Sequence, residues 1–339
     1  KSKWLRVAVL AMAIVFVYSA ISLLWSPHTD AGYDKLFRLS QAFLVLVMLS
    51  HNPVRRGRIL AAFFASACVQ SVWAIVQFLQ QDIAASTWLG MSAQNPQDLG
   101  VSVIEYADER WLRAYGSLPH PNMLGGFLSI ATLMSLGSYF QNAVRMVPWY
   151  GKWESVQKPQ MQSFRNRDLG SFIAFLLSFI GLLLTFSRSA WLGFAVGLTL
   201  IIVSGIAVYR GQARMAVVRV FAKLTVLAII LFVFLNAIFG GLWLSRTHDQ
   251  SRLAQVSVTE RSQLLGDAKQ IITNHPFRGV GLGGYLPTLM QMEGNRLGDD
   301  RPIFRFQPVH NTWLLLWAEL GLVGLILFFV WIYSVLAAF

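Results

Sequence analysis

Leu5-Arg-Val-Ala-Val-Leu-Ala-Met-Ala-Ile-Val-Phe-Val-Tyr-Ser-Ala-Ile-Ser-Leu-Leu-Trp25 carries no charge after Arg6. A helix rises about 1.5 Å per residue, so a run of this length crosses a hydrocarbon core of about 30 Å. Seven further apolar runs follow: Leu36 to Ser50, Ile59 to Leu79, Asn122 to Phe140, Gly170 to Phe186, Ala190 to Val208, Ala216 to Leu244 and Thr312 to Phe339. No water inside a bilayer can satisfy backbone amides, so each run is read as helix whatever its Val and Ile content. The expected fold class is therefore all-α, a polytopic integral membrane protein of about eight spans, with residues 1–339 as a single transmembrane domain. Composition points the same way, since 13% of the chain is charged against roughly 25% in soluble domains. The first run has no small-residue cleavage signature and is read as a retained span.

The formal charge of +12 would suit nucleic acid only if it were gathered on one solvated face. It is scattered among loops, so nucleic acid is excluded as a partner. One cysteine, Cys68, allows no intrachain disulfide and no thiolate metal site. Alternate loops hold Lys1, Lys3 and Arg6; Arg55, Arg56 and Arg58; Arg145, Lys152, Lys158, Arg165 and Arg167; then Arg210, Arg214 and Arg219. Such loops are read as cytoplasmic. The opposite, outward side receives Ser26 to Lys35, Gln80 to Pro121, Ser187 to Ser189, and the long segment Ser245 to Asn311. Outward cations from Gln80 onward are mostly arginine, the side chain suited to forked phosphate contacts. A segment as long as residues 245–311 is seldom an idle connection, and chemistry is sought there first.

Within it, Ser257-Val-Thr-Glu260 has the spacing of a capping box, and Leu264, Leu265, Ala268, Ile271 and Ile272 follow at helical spacing. These predict an amphipathic helix of about four turns ending at Asn274-His-Pro276, with Arg261 in its first turn. A cation on the apolar face calls for an anion, and snorkelling past the helix end is the plainer alternative. Arg188 stands between two apolar runs in Ser187-Arg-Ser189, so its guanidinium belongs at the membrane boundary, the depth of a lipid-linked diphosphate or of ordinary lipid headgroups. Gly279-Val-Gly-Leu-Gly-Gly-Tyr285 lacks the preceding strand of a dinucleotide loop, and its glycines are read as turns or close approaches. His310 ends the outward segment just before the last run. A neutral imidazole can take a proton from a hydroxyl nucleophile, or simply bond its own helix. Glu319 lies nine residues further on, where an ionisable group inside a span is a functional candidate. Trp111, Arg113, Tyr115, His120 and Asn122 form another outward cluster, suited to sugar stacking or to structural packing. The histidines show no metal-ligand spacing, so no metal and no cofactor is expected.

Four stretches together resemble the bacterial O-antigen ligase family, within a wider group of O-antigen polymerases and protein O-oligosaccharyltransferases. They are Arg113-Ala-Tyr-Gly-Ser-Leu-Pro-His-Pro-Asn122, Thr185-Phe-Ser-Arg-Ser-Ala-Trp191, Asn274-His-Pro-Phe-Arg-Gly-Val-Gly-Leu-Gly283, and His310-Asn-Thr-Trp-Leu-Leu-Leu-Trp-Ala-Glu-Leu-Gly-Leu-Val-Gly324. The family usually has ten to twelve spans, more than the eight runs found here, and the resemblance implies an architecture like that of the GT-C glycosyltransferases. It implies an enzyme of the bacterial inner membrane that moves a glycan from undecaprenyl diphosphate to the lipid A core on the periplasmic face. Carried over by motif, Arg188 and Arg261 would hold the diphosphate and His310 would be the general base. Arg113, Tyr115, His120, Asn122, Arg278, Tyr285, Asn311 and Glu319 are further candidates for acceptor contact or support. A polymerase or protein oligosaccharyltransferase would use the same donor. A lipid-linked glycan transporter would instead place polar groups near the midplane in paired, interrupted helices.

Overall fold

The computed structural model describes residues 3–51, 56–98, 100–107, 109–145, 158–247, 252–294 and 307–338. In chain order its elements are α1 (Lys3–Ser22), α2 (Thr29–His51), α3 (Arg56–Gln80), β1 (Val103–Tyr106), β2 (Glu109–Leu112), α4 (Pro121–Arg145), α5 (Lys158–Leu184), α6 (Arg188–Val208), α7 (Gly211–Thr247), α8 (Arg252–Asn274), α9 (Tyr285–Gly294) and α10 (Thr312–Leu336). Each of the eight apolar runs has its main part in a helix, the run from Gly170 leaving α5 at Leu184 and the last leaving α10 at Leu336. Among the described residues six helices are long and apolar enough to cross a membrane: Lys3–Trp25, Gly57–Gln80, Pro121–Phe140, Arg188–Val208, Val217–Trp243 and Thr312–Leu336. Two runs fall short of that standard. Asp30, Asp34, Lys35 and Arg38 lie on α2, and the apolar part of α5 is only Leu169–Leu184. The class is that expected, a helical polytopic membrane protein, with one small addition. Val103–Tyr106 and Glu109–Leu112 pair as an antiparallel hairpin, Ile104 facing Trp111 across the register.

Contacts divide the chain into two compact units, Lys1–Val54 with Gln250–Phe339, and Arg55–Asp249. In the first, α1 and α10 run antiparallel. The rings of Trp4 and Tyr333 sit 6.0 Å apart edge to face, and thirteen to fourteen residues further along each helix the Tyr18 hydroxyl donates to Leu320 O at 3.0 Å. There α10 breaks, with Gly321 at φ 68 and ψ −176, a conformation essentially confined to glycine. The break would orphan two carbonyls and two amides at a depth where nothing else could satisfy them. The chain between α8 and α9 supplies all four partners. Val280 and Gly281 amides donate to Ala318 O and Glu319 O at 2.9 and 2.8 Å, while Leu322 and Val323 amides donate to Pro276 O and Phe277 O at 2.9 and 3.3 Å. A side chain on Gly321 would strike the Phe277 carbonyl, and one on Gly279 the Glu319 carbonyl. The glycines of the 279–284 run thus serve close backbone approach. Val280, Tyr285, Val309 and Ala318 close over Ala268 and Ile271 of α8 as a shared core.

In the second unit α3, α4 and α5 pack through small residues and aromatic rings, Ala67, Ala74, Leu124, Leu128 and Leu182 being buried together with Phe78. Gln70 and Gln77, seven residues apart on α3, and Gln81 just beyond its end meet the chain from the last residue of β2 onward. Gln77 Oε1 accepts from the Gly116 and Tyr115 amides at 2.8 and 3.3 Å, and its Nε2 donates to Gly116 O at 2.8 Å. Gln81 Oε1 accepts from Leu112 N at 2.6 Å, and Gln70 Oε1 from Ser117 N at 2.9 Å. Side-chain amides here take the place of a neighbouring strand, satisfying backbone groups that burial would otherwise leave costly.

The helix forecast within 245–311 needs one correction. It begins at Arg252, five residues before the capping box, so Ser257-Val-Thr-Glu260 lies inside α8. Leu, Ala and Gln before Ser257 are good helix formers and extend the helix upstream of the capping box. Arg261 is accordingly in the third turn, away from the free amides of the helix start. Of the forecast apolar face, Leu264, Ala268, Ile271 and Ile272 are buried, while Leu265 is exposed.

Candidate functional site

Each unit carries part of the candidate machinery. In the second, the extended chain after β2 delivers Arg113 into the interior, 3% exposed. Its three nitrogens donate to three separate segments: Nε to Thr185 O at 2.8 Å, Nη1 to Ser102 Oγ at 2.7 Å and Nη2 to Asn122 Oδ1 at 2.7 Å. The neighbouring Ala114 amide also donates to Leu184 O at 3.2 Å. Arg113 therefore fastens the end of α5 to the start of α4. Between α5 and α6 the chain reverses at Phe186, whose φ of 47 is rare for a bulky residue. That strain is held by full burial, with the Trp243 ring 4.7 Å and the Phe78 ring 5.8 Å from the Phe186 ring. Ser187 follows in extended conformation and Arg188 opens α6.

Arg188 is exposed, and the side chain of the N-cap Ser187 does not cap the first turn of α6. A free helix start and a guanidinium both favour an anion. The first turn of α4 lies against the same corner, since a carbon placed on Gly125 would come within 2.9 Å of Ala190 Cβ and 3.0 Å of Ser187 Cβ. Asn122 and His120 are exposed there. His120 Nδ1 accepts the Asn122 amide at 3.0 Å. Tyr115 is buried, its hydroxyl accepting from Ser102 N at 2.8 Å, and burial raises its pKa. Of the outward cluster, Arg113 and Tyr115 are thus interior ties, while His120 and Asn122 present themselves to solvent.

In the first unit, His310 is exposed at a corner fixed on both sides. Val309 before it is 4% exposed in the shared core. Asn311 after it caps α10, its Oδ1 accepting from the Trp313 and Leu314 amides at 3.0 and 3.2 Å. An exposed imidazole on a rigid corner is available for proton transfer. Glu319 is not so available, being 4% exposed with an oxygen 2.6 Å from Lys35 Nζ. Lys35, which sequence reasoning passed over, is the partner that a buried carboxylate required; only the requirement, not the partner, was readable. Tyr285 is 1% exposed in the same unit, and among the described residues its hydroxyl makes no hydrogen bond of ordinary geometry. Its pKa is pushed up to about 12, first by burial, then by the Asp267 charge, with a smaller push from Glu319; the Val309 backbone acts in the opposite sense. Arg278 is exposed in the turn before Gly279. The Arg261 side chain lies outside the described residues, although its backbone belongs to α8. Among the described residues no three His, Cys, Asp or Glu side chains are placed to hold a metal ion.

The break in α10 bears on transport. Interrupted helices serve transporters when their freed backbone groups line an open cavity. Here four hydrogen bonds from the 276–281 chain fill the break with protein.

Helices that cross a membrane, with ionisable groups at their ends, define a polytopic membrane protein. Residues 173–329 match the family model described as O-antigen ligase, so this segment of the chain is similar to that family. Arg188, Arg261, Arg278, Tyr285, His310, Asn311 and Glu319 lie inside the matched segment; Arg113, Tyr115, His120 and Asn122 precede it. No curated protein and no solved structure matches the chain.

Proposed function

We propose that this protein transfers an O-antigen glycan from undecaprenyl diphosphate to the lipid A core at the periplasmic face of the bacterial inner membrane. Arg188 and Arg261 hold the diphosphate, and His310 is the general base. The acceptor hydroxyl oxygen bonds to the anomeric carbon as the bond from that carbon to the phosphate oxygen breaks. His310 takes the hydroxyl proton, and undecaprenyl diphosphate leaves with the electron pair. One displacement of this kind inverts the anomeric centre. Guanidinium groups stabilise the charge growing on the leaving group, so the reaction runs without metal. The observation that carries this reading is the exposed His310, fixed between buried Val309 and the capping Asn311 inside the segment similar to the O-antigen ligase family.

The test is reconstitution. Purified protein with lipid-linked glycan and lipid A core, after exhaustive EDTA treatment, should yield a core whose mass has grown by the glycan. A donor consumed with no gain by the core, or an activity recovered only with added divalent cation, contradicts the acceptor or the metal-free mechanism respectively.

A further inference from the structure

Asn122 has one oxygen and one amide nitrogen to present, and Arg113 decides which points where. A guanidinium has donors only, so the atom facing Nη2 at 2.7 Å must be the Asn122 oxygen. The Asn122 NH2 is thereby turned outward as a donor, on an exposed residue in the first turn of α4, and none of its hydrogen bonds is met among the described residues. The same guanidinium holds Thr185 O, three residues before Arg188, and Gly125 lets the first turn of α4 rest on Ser187 and Ala190. Arg113 therefore ties the start of α4 to the end of α5, and the close approach at Gly125 seats α4 against the start of α6.

We propose that Asn122 is a second binding residue for the donor, its outward amide donating to an oxygen of the diphosphate that Arg188 holds, with Arg113 as the positioning residue that fixes the flip of that amide. The proposal rests on the assignment of Arg188 to the diphosphate. It gives Arg113 a role distinct from its packing: with a partner other than a pure donor, the Asn122 amide could turn its oxygen toward the anion and repel it.

Asn122→Asp separates support from binding. A carboxylate facing Arg113 keeps the interior tie and strengthens it, because the bond becomes charge-assisted at both ends. Outward, it replaces a donor with a negatively charged acceptor. The expected result is a melting temperature equal to or above that of the parent, with KM for the undecaprenyl-diphosphate-linked glycan raised about tenfold or more and KM for the lipid A core unchanged. Asn122→Ala should raise the donor KM as well, by a smaller factor. Arg188→Ala, measured alongside, separates the two claims. If Arg188→Ala leaves the donor KM unchanged, the diphosphate assignment falls and the inference with it. If Arg188→Ala raises it while Asn122→Asp leaves it within about twofold of the parent, the inference about Asn122 alone is overturned. Loss of fold in Asn122→Asp also counts against it, since a carboxylate opposite Arg113 should be well held.

Discussion

Two junctions in this protein solve the same problem with different chemistry. In the first unit a broken α10 is repaired mainly by backbone, four hydrogen bonds passing between residues 276–281 and residues 318–323, with the Tyr18 hydroxyl on Leu320 O beside them. In the second unit the chain from Leu112 to Ser117 is satisfied by side chains, the glutamines of α3 and Gln81 just past its end acting as a strand and Arg113 as a bolt. The backbone junction depends on the absence of side chains at Gly279 and Gly321. The other depends on the presence of particular ones. A backbone repair requires close approach and is spoiled by volume, whereas a side-chain repair tolerates volume and is spoiled by loss of a donor or acceptor.

That contrast can be broken most severely at Gly321. Gly321→Ala puts a carbon against the Phe277 carbonyl in a conformation that only glycine adopts easily. The cost should be about 4 kcal/mol, strain and overpacking combined. Purified Gly321→Ala should fail to give a cooperative melt, or melt far below the parent; a parental melting temperature would mean that the break is not held as described. Gln77→Leu keeps the volume of the second junction but leaves the Gly116 amide and carbonyl and the Tyr115 amide unmet. A loss of about 3 kcal/mol is expected, and Gln77→Glu, which keeps only the acceptor, should fall between Leu and the parent in thermal stability.

Lys35→Met should cost less, about 1 to 2 kcal/mol, because Lys35 is 40% exposed and water screens part of the pairing. Adding Glu319→Gln should recover most of it, and a double variant no more stable than Lys35→Met alone would show that the pair is not coupled. The smallest effect is at Tyr285. Its hydroxyl ionises near 10 when unfolded and near 12 in the fold. The raised folded value means that the neutral form is favoured, so its contribution is intact below pH 10. Between pH 10 and 12 the unfolded chain ionises first and stability is lost, by at most about 1.4 kcal/mol per pH unit. Tyr285→Phe should match the parent within about 1 kcal/mol at neutral pH and lose stability less steeply across that alkaline window, as melting temperatures against pH would reveal.

Glycine makes the first junction legible. The run from Gly279 to Gly284 points to turns or close approach, and apolar run length points to α1 and α10, whereas α8 shows itself by amphipathic spacing and α9 by neither. The second junction was silent in sequence. Gln70 and Gln77 are ordinary residues on an apolar helix, Gln81 follows its end, and nothing local marks them as partners for a chain some forty residues away. The hairpin of β1 and β2 escaped for a related reason, each strand having only four residues. The start of α8 was misplaced because a capping box is a local signal that favourable helix formers upstream can override. Arg188 and His310 were legible as polar groups at the ends of apolar runs. What could not be read was how they are held, by a left-handed Phe186 beside one and by Val309 and Asn311 around the other.

The central claim is that His310 accepts the proton of the acceptor hydroxyl. His310→Ala should keep its melting temperature, since the exposed imidazole supports neither Val309 nor the Asn311 cap, and should still bind the lipid-linked donor. Single-turnover transfer to the lipid A core, measured at neutral pH with donor and acceptor saturating, should fall about a hundredfold to ten-thousandfold. Transfer within a fewfold of the parent at matched, folded protein would contradict the account and remove His310 from the chemistry.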